Sequence, residues 1–155
     1  MARAFVGLGS NLGDREENLR RAIDALGSLP GTAVVRKSHF RETEPVGFQD
    51  QPRFLNGAVE LETSLEASEL LGAMLDIERR LGRRRAGVRG GPRTIDLDLL
   101  VYDDLQIAEP GLELPHPRLA ERRFVLEPLA DLDPALAVPG RGAVETLLAK
   151  LDSGL

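Results

Sequence analysis

The 155-residue sequence has no cysteine, no tryptophan, one tyrosine, and only two lysines against eighteen arginines. Without thiols there can be no disulfide, no thiolate metal site and no cysteine nucleophile. No apolar run approaches the roughly 18 residues that a membrane-spanning helix needs. The opening stretch MARAFVGLGSNLGDR turns to glycine and acid too early for a secretory leader. A cytoplasmic protein with no membrane partner is therefore expected. Five phenylalanines supply most of the aromatic surface, so two rings converging on one slot would be informative.

Hydrophobic residues make up 42% of the chain and charged residues 29%, enough for one globular domain over 1–155. The formal net charge of -5 speaks against a general nucleic-acid binder. The charges are unevenly placed. Residues 79–93, RRLGRRRAGVRGGPR, hold seven arginines and no acid, and Arg122 and Arg123 form a smaller cluster. A cationic segment on an acidic protein suits a compact anionic ligand better than a long polyanion.

The apolar periodicity gives a coarse element order. Arg3 to Leu8 reads as a strand running into a glycine turn at Gly9, Ser10 and Asn11. Asp14 with Glu17 resembles a capping box, and Leu19, Ala22, Ile23 and Leu26 give the following helix one apolar face. Strands are predicted over Val34 to Thr43 and Phe54 to Leu61, the second with Phe54, Asn56, Ala58 and Glu60 on one face. Thr63 with Glu66 reads as the cap of a second helix, reaching about Leu81. A strong strand runs from Thr94 to Tyr102. Beyond it the pattern predicts a short strand pair in 105–114, a strand or short helix at Phe124 to Leu129, and a helix near Ala143 to Leu151. The first two thirds thus read β-α-β-β-α-β. That is the order of an α+β, ferredoxin-like unit, an antiparallel sheet with both helices on one face, followed by a C-terminal extension.

The sharpest chemical feature is TIDLDLL, residues 94–100. Strand alternation points Ile95, Leu97 and Leu99 one way and Asp96 and Asp98 the other, about 7 Å apart. Such a pair suits Mg²⁺, which takes one or two carboxylates plus phosphate oxygens and water. An acidic, solvent-facing strand edge would look the same. Arg83, Arg84, Arg85, Arg89 and Arg93 precede it in a glycine-bearing stretch, and guanidinium forks clamp phosphate oxygens. Gly7 to Gly13 lacks the lysine and hydroxyl ending of a Walker A loop and reads as a tight turn, from which Asn11 can contribute. His116 lies in LPHPR, where the prolines stiffen its backbone, whereas His39 falls within a strand and reads as structural.

Four segments carry a family resemblance: VGLGSNLG at Val6–Gly13, FLNGAV at Phe54–Val59, GPRTIDLD at Gly91–Asp98, and PHPRLAERRFV at Pro115–Val125. They resemble the signature segments of 6-hydroxymethyl-7,8-dihydropterin pyrophosphokinase, in order and over nearly the whole chain. The resemblance implies a ferredoxin-like α+β core, with ATP and two Mg²⁺ ions used to make the pterin pyrophosphate and AMP in folate biosynthesis. It implies that Asp96 and Asp98 hold both ions and that Arg83, Arg85 and Arg93 act with them in catalysis. ATP would be bound by Glu78, Arg83, Arg85, Arg89, Arg93, Ile95, His116 and Arg122. The pterin would be bound by Thr43, Pro45, Val46, Phe54, Asn56 and Phe124. A flat heterocycle wants a ring on each face, here Phe54 and Phe124, with Asn56 on its amide edge. One departure stands out: many members have Arg-Trp-Gly-Pro-Arg where this chain has Arg89, Gly90, Gly91, Pro92 and Arg93. The absent tryptophan is one that helps seal the pterin side. A small-molecule enzyme, monomeric and without a nucleic-acid partner, is the resulting expectation.

Two rival readings differ in what they require. An RNA-binding module on the same fold would expose aromatics on the central strands and a positive sheet face, which the strand carboxylates oppose. A structural relative without activity would not need Asp96, Asp98, Arg93 and Asn56 together.

Overall fold

The computed structural model of the protein describes residues 1–44, 51–82 and 94–153. Its first strand, β1 (Ala2–Ser10), is buried along most of its length, the mark of a strand covered on both faces. Asp14 caps the helix that follows, α1 (Arg15–Gly27), by accepting the Glu17 amide at 3.1 Å. Two strands, β2 (Thr32–Lys37) and β3 (Arg41–Thr43), then pair in succession along β4 (Phe54–Thr63). Helix α2 (Ala67–Arg80) and strand β5 (Asp96–Tyr102) complete the βαββαβ unit. The sheet order is β2-β4-β1-β5, with β3 also on β4 and every pairing antiparallel. The ferredoxin-like arrangement expected from the element order is the one observed.

Both early helices lie on one face, as expected, over Val6, Leu8, Val59, Leu61, Leu97 and Leu99. The other face is also covered. A hairpin, β6 (Ile107–Glu109) and β7 (Leu112–Leu114), leads through a 3₁₀ turn at Leu119–Glu121 into α3 (Arg123–Leu132). A small ribbon, β8 (Ala137–Val138) and β9 (Gly142–Ala143), precedes α4 (Val144–Asp152). Helices α3 and α4 pack against Phe5, Ala58, Leu100 and Val101. Segment 124–129, open between strand and helix on sequence, is helical. Val125, Leu126, Leu129 and Leu132 form its buried stripe despite Pro128 inside it, which gives the Phe124 carbonyl no N–H from position 128.

Three boundaries differ from the sequence reading, each for a local reason. The strand expected over 34–43 is broken at Ser38. Its hydroxyl accepts the Ala58 amide at 2.8 Å and donates to the His39 carbonyl at 2.9 Å, a side chain standing in for the ladder. Phe40 then lies against Gly57, where an added Cβ would come within 2.7 Å of its ring. Thr63 is no cap. It pairs in β4, with its hydroxyl 2.7 Å from that of Thr32, and Glu66 and Glu69 form the capping box instead. Finally, Gly9 and Ser10 belong to β1, not to a turn.

One buried carboxylate ties the C-terminal layer to the sheet. Glu60 is 5% exposed and accepts from Arg3 Nε at 2.8 Å and Arg36 Nη2 at 2.7 Å, while Arg3 Nη2 also reaches Asp133 at 3.0 Å. Burial alone would raise the Glu60 pKa, but the hydrogen bonds from Arg3 and Arg36 outweigh it and hold the group below its ordinary value of 4.5. A depressed carboxylate stabilises the fold above its unfolded pKa, and that contribution is lost as pH falls through the folded one. Thermal stability is therefore expected to drop as pH falls below about 4.5, with part of that drop absent in Glu60→Gln. Melting curves across pH would check this; parallel curves for the two proteins would contradict it.

Candidate active site

The sheet register lays the site out in a row. On the face turned toward α3, Asp96 of β5 is paired with Gly9 of β1, Gly9 with Asn56 of β4, and Asn56 with Arg41 of β3. Adjacent strands lie about 4.8 Å apart, so Asp96 and Asn56 are separated by about 10 Å across β1. Asp98 sits in the next same-face row, paired with Gly7. The alternation expected for β5 holds here, since Leu97 and Leu99 are buried in the α1–α2 core. A register shift at Phe5 and Val6 makes Leu100 an extra residue. This bulge lets Leu100 and Val101 both join the opposite core without disturbing the acids upstream.

Glycine at position 9 lets Asn56 and Phe54 close down over the middle of the row, where position 9 is buried. A Cβ there would meet Asn56 Oδ1 at 2.8 Å and the Phe54 ring at 3.5 Å. Asn56 is itself fixed, buried and donating from Nδ2 to the Thr43 hydroxyl. The result is a trough with carboxylates on one side and an amide, a hydroxyl and a phenyl ring on the other.

Supporting groups surround the acid pair. Glu78 is 4% exposed on α2, and its Oε2 accepts the Leu97 amide at 2.8 Å, the backbone N–H midway between Asp96 and Asp98. His116 Nε2 lies 3.9 Å from Asp98 Oδ1. Its Nδ1 accepts the Arg118 amide at 3.2 Å, so the proton of the neutral ring sits on Nε2, facing the acids. Burial, and then the charges of Arg122 and Arg118, push the His116 pKa below its ordinary value, which keeps the ring neutral at pH 7. The Arg122 guanidinium stacks over the Phe124 ring, 5.4 Å from its centre.

Next to this group opens a cleft of about 580 Å³, bounded by Thr43 and Glu44 on one side and by Arg122, Arg123, Phe124 and Glu127 on the other. Of the residues singled out on sequence, Thr43, Arg122 and Phe124 line the cleft, Asp96, Asn56 and Phe54 flank Gly9, and His116 lies beside Asp98. Ile95 is fully buried in the α1–α2 core, so its side chain faces away from the acids. Asn11 is 1% exposed and donates to Gln51 Oε1 at 2.8 Å and to the Pro52 carbonyl at 3.1 Å, anchoring the chain that enters β4. Pro45, Val46, Arg83, Arg85, Arg89, Gly90 and Arg93 lie outside the described residues. Sequence reasoning missed Glu44, Glu121, Glu127 and the part played by Gly9. Reading 123–132 as a helix would have placed Glu127 beside Phe124, one turn on.

The acid pair fits a hard divalent cation. Its donors are carboxylate oxygens, and the Asp98 side chain is 39% exposed. Among the described residues no group of three or more imidazoles and carboxylates gathers to hold an ion alone. Mg²⁺ commonly completes its shell with phosphate oxygens and water beside one or two carboxylates. A ferredoxin-like sheet bearing paired carboxylates and a neutral histidine, beside a cleft lined by three arginines and three glutamates, has the groups a phosphoryl-transfer enzyme uses. The model of the family 7,8-dihydro-6-hydroxymethylpterin-pyrophosphokinase (HPPK) matches residues 5–134, and the chain belongs to that family. It is 50% identical over 129 residues to the 2-amino-4-hydroxy-6-hydroxymethyldihydropteridine pyrophosphokinase of Bacillus subtilis, covering 83% of this chain and 77% of that one. The Methylorubrum extorquens protein of the same name is 46% identical over 152 residues, covering 98% and 95%. Among solved structures, Plasmodium falciparum HPPK-DHPS with pterin and p-hydroxybenzoate superposes with a TM-score of 0.76 at 16% identity, a likeness of fold. That match covers 98% of this chain and 42% of the other. Among the described residues no helix is long and apolar enough to cross a membrane.

Proposed function

We propose that this chain transfers a pyrophosphoryl group from ATP to 6-hydroxymethyl-7,8-dihydropterin across the trough above Gly9, releasing AMP, as a step of folate biosynthesis. The observation that carries the reading is the row Asp96, Gly9, Asn56. Its two ends, carboxylates for the phosphates and an amide for the heterocycle, are about 10 Å apart across β1, which supports this reading. The pterin lies between Phe54 and Phe124 with Asn56 and Thr43 on its polar edge, and Pro45 and Val46, outside the described residues, are further candidates to contact it. Its hydroxymethyl oxygen then points over Gly9 toward the acid pair. Asp96 and Asp98 would hold the two Mg²⁺ ions, which would supply neutralisation of the phosphate charge.

The chain's own residues bind and orient. Arg83, Arg85, Arg89, Arg93 and Arg122 offer guanidinium forks to the phosphates. His116, held neutral with Nε2–H toward the acids, can donate to a phosphate oxygen without adding charge. Glu78 acts on ATP through β5, holding the backbone between the two aspartates. The turnover assay that tests this is AMP release with Mg²⁺ and ATP as the acceptor is varied. AMP should form with 6-hydroxymethyl-7,8-dihydropterin and not with the 6-methyl analogue, which has no attacking oxygen. Equal AMP release with both, or with neither acceptor present, would overturn the proposal.

A further inference from the structure

The residue that ends the Asp96–Gly9–Asn56 row is Arg41, and it is engaged in a way that the reaction itself does not require. Strand β3, which carries Arg41 and Thr43, is only three residues long and pairs with β4. Arg41 reaches across to α3 and meets both oxygens of Asp131, Nη1 to Oδ2 at 2.7 Å and Nη2 to Oδ1 at 2.8 Å. The His39 backbone N–H adds a third bond to Asp131 Oδ2 at 3.1 Å. Bidentate guanidinium–carboxylate pairing fixes orientation as well as distance. The Asp131 side chain is 19% exposed and that of Arg41 34% exposed, so the pair is shielded in part from solvent.

The position of this pair gives it a role. Phe124, Glu127 and Asp131 are spaced three and four residues apart and share one side of α3. Arg41 and Thr43 share one side of β3, turned the same way as Asn56 and Phe54 through the pairings Arg41 with Asn56 and Thr43 with Phe54. Helix and strand are thus joined at Asp131 and Arg41, and about two turns away on α3 they form opposite walls of the cleft, Phe124 against Thr43. We infer that the Arg41–Asp131 pair is a positioning device that sets the gap between Phe124 and the Thr43–Asn56 edge, and so the affinity for the flat heterocycle. The inference rests on the reading of that cleft as the pterin slot. Glu127, which lines the cleft, also lies near enough to Arg41 for its charge to act on it, so the guanidinium is balanced by two acids of α3. Loss of Asp131 leaves Arg41 attracted toward Glu127, inside the slot.

Steady-state kinetics on the whole chain test this. Asp131→Asn and Arg41→Ala should each raise KM for 6-hydroxymethyl-7,8-dihydropterin about ten-fold, with kcat and the KM for ATP changed less than about two-fold. The combined variant should be no worse than either single one, because both remove the same pair. Arg36→Ala serves as a comparison, since it breaks an ion pair to Glu60 on the same sheet away from the cleft; it should lower the melting temperature without moving the pterin KM. Asn56→Ala reports on the slot itself. A raised pterin KM in Asn56→Ala with none in Asp131→Asn would overturn the positioning role alone. An unchanged KM in both would overturn the slot reading on which it rests. A pterin KM raised equally by Arg36→Ala would show general loosening and also overturn it.

Discussion

Asp98→Ala is expected to lower kcat by roughly 10³-fold while leaving the fold intact. The loss follows from chemistry: attack on the β-phosphorus of a tetra-anionic nucleotide has to be made at a neutralised centre, and the acid pair supplies the hard ligands for that. The preserved fold follows from position. The Asp98 side chain is 39% exposed, it is paired with Gly7, and Leu97 and Leu99 on either side bury the opposite face of β5. Removing it creates no cavity and deletes one of two neighbouring like charges. Turnover measured against Mg²⁺ concentration, beside circular dichroism of the same sample, checks both halves. A folded Asp98→Ala protein with a near-normal rate would sink the assignment of the pair.

Gly9→Ala should be nearly as damaging, through the other substrate. The added methyl would sit 2.8 Å from Asn56 Oδ1, a distance that cannot be kept. The clash falls on the end of a side chain, so the backbone has no need to move, and the melting temperature should fall by no more than the loss of one buried hydrogen bond costs, about 10 °C at most. Asn56 gives way, its bond to the Thr43 hydroxyl breaks, and the amide that would meet the heterocycle is displaced. The pterin KM should rise by about 10- to 100-fold, since misplacement by an ångström is felt at this scale. The binding of ATP alone, followed by fluorescence of a labelled nucleotide, should be changed little. A variant that binds pterin as wild type would show that the trough is not where the heterocycle reaches the phosphates.

Sequence periodicity carried the core of this fold. Apolar stripes such as Leu19, Ala22, Ile23 and Leu26, and the alternation through TIDLDLL, are local signals of which face is buried. The acid pair was legible for the same reason: buried neighbours at 97 and 99 force 96 and 98 outward. Family resemblance added Thr43, Phe54, Asn56 and Phe124, none of which has a local pattern that marks it as a ligand-binding residue, and gave roles to His116 and Arg122, which the proline-flanked LPHPR and the small arginine cluster mark locally. What stayed hidden depends on pairing across the sheet. Gly9 reads as a turn residue until its neighbours Asp96 and Asn56 are known. The break in the strand at Ser38 is a side chain replacing a ladder bond to Ala58, twenty residues away. Arg41 and Asp131 are ninety residues apart, and nothing in either segment announces the other. The resemblance implies Glu78 as a nucleotide contact, and the fold adds what no local pattern shows, that it accepts the Leu97 amide between the two aspartates.

The most direct test of the central claim follows the label in ATP carrying radioactive phosphorus at the β position, incubated with the protein, Mg²⁺ and 6-hydroxymethyl-7,8-dihydropterin. Attack at the β-phosphorus moves the label onto the pterin and leaves unlabelled AMP, one for each pterin consumed. Labelled ADP, with an unlabelled pterin monophosphate as the other product, would mean that the γ-phosphorus is attacked and would contradict the account of the trough.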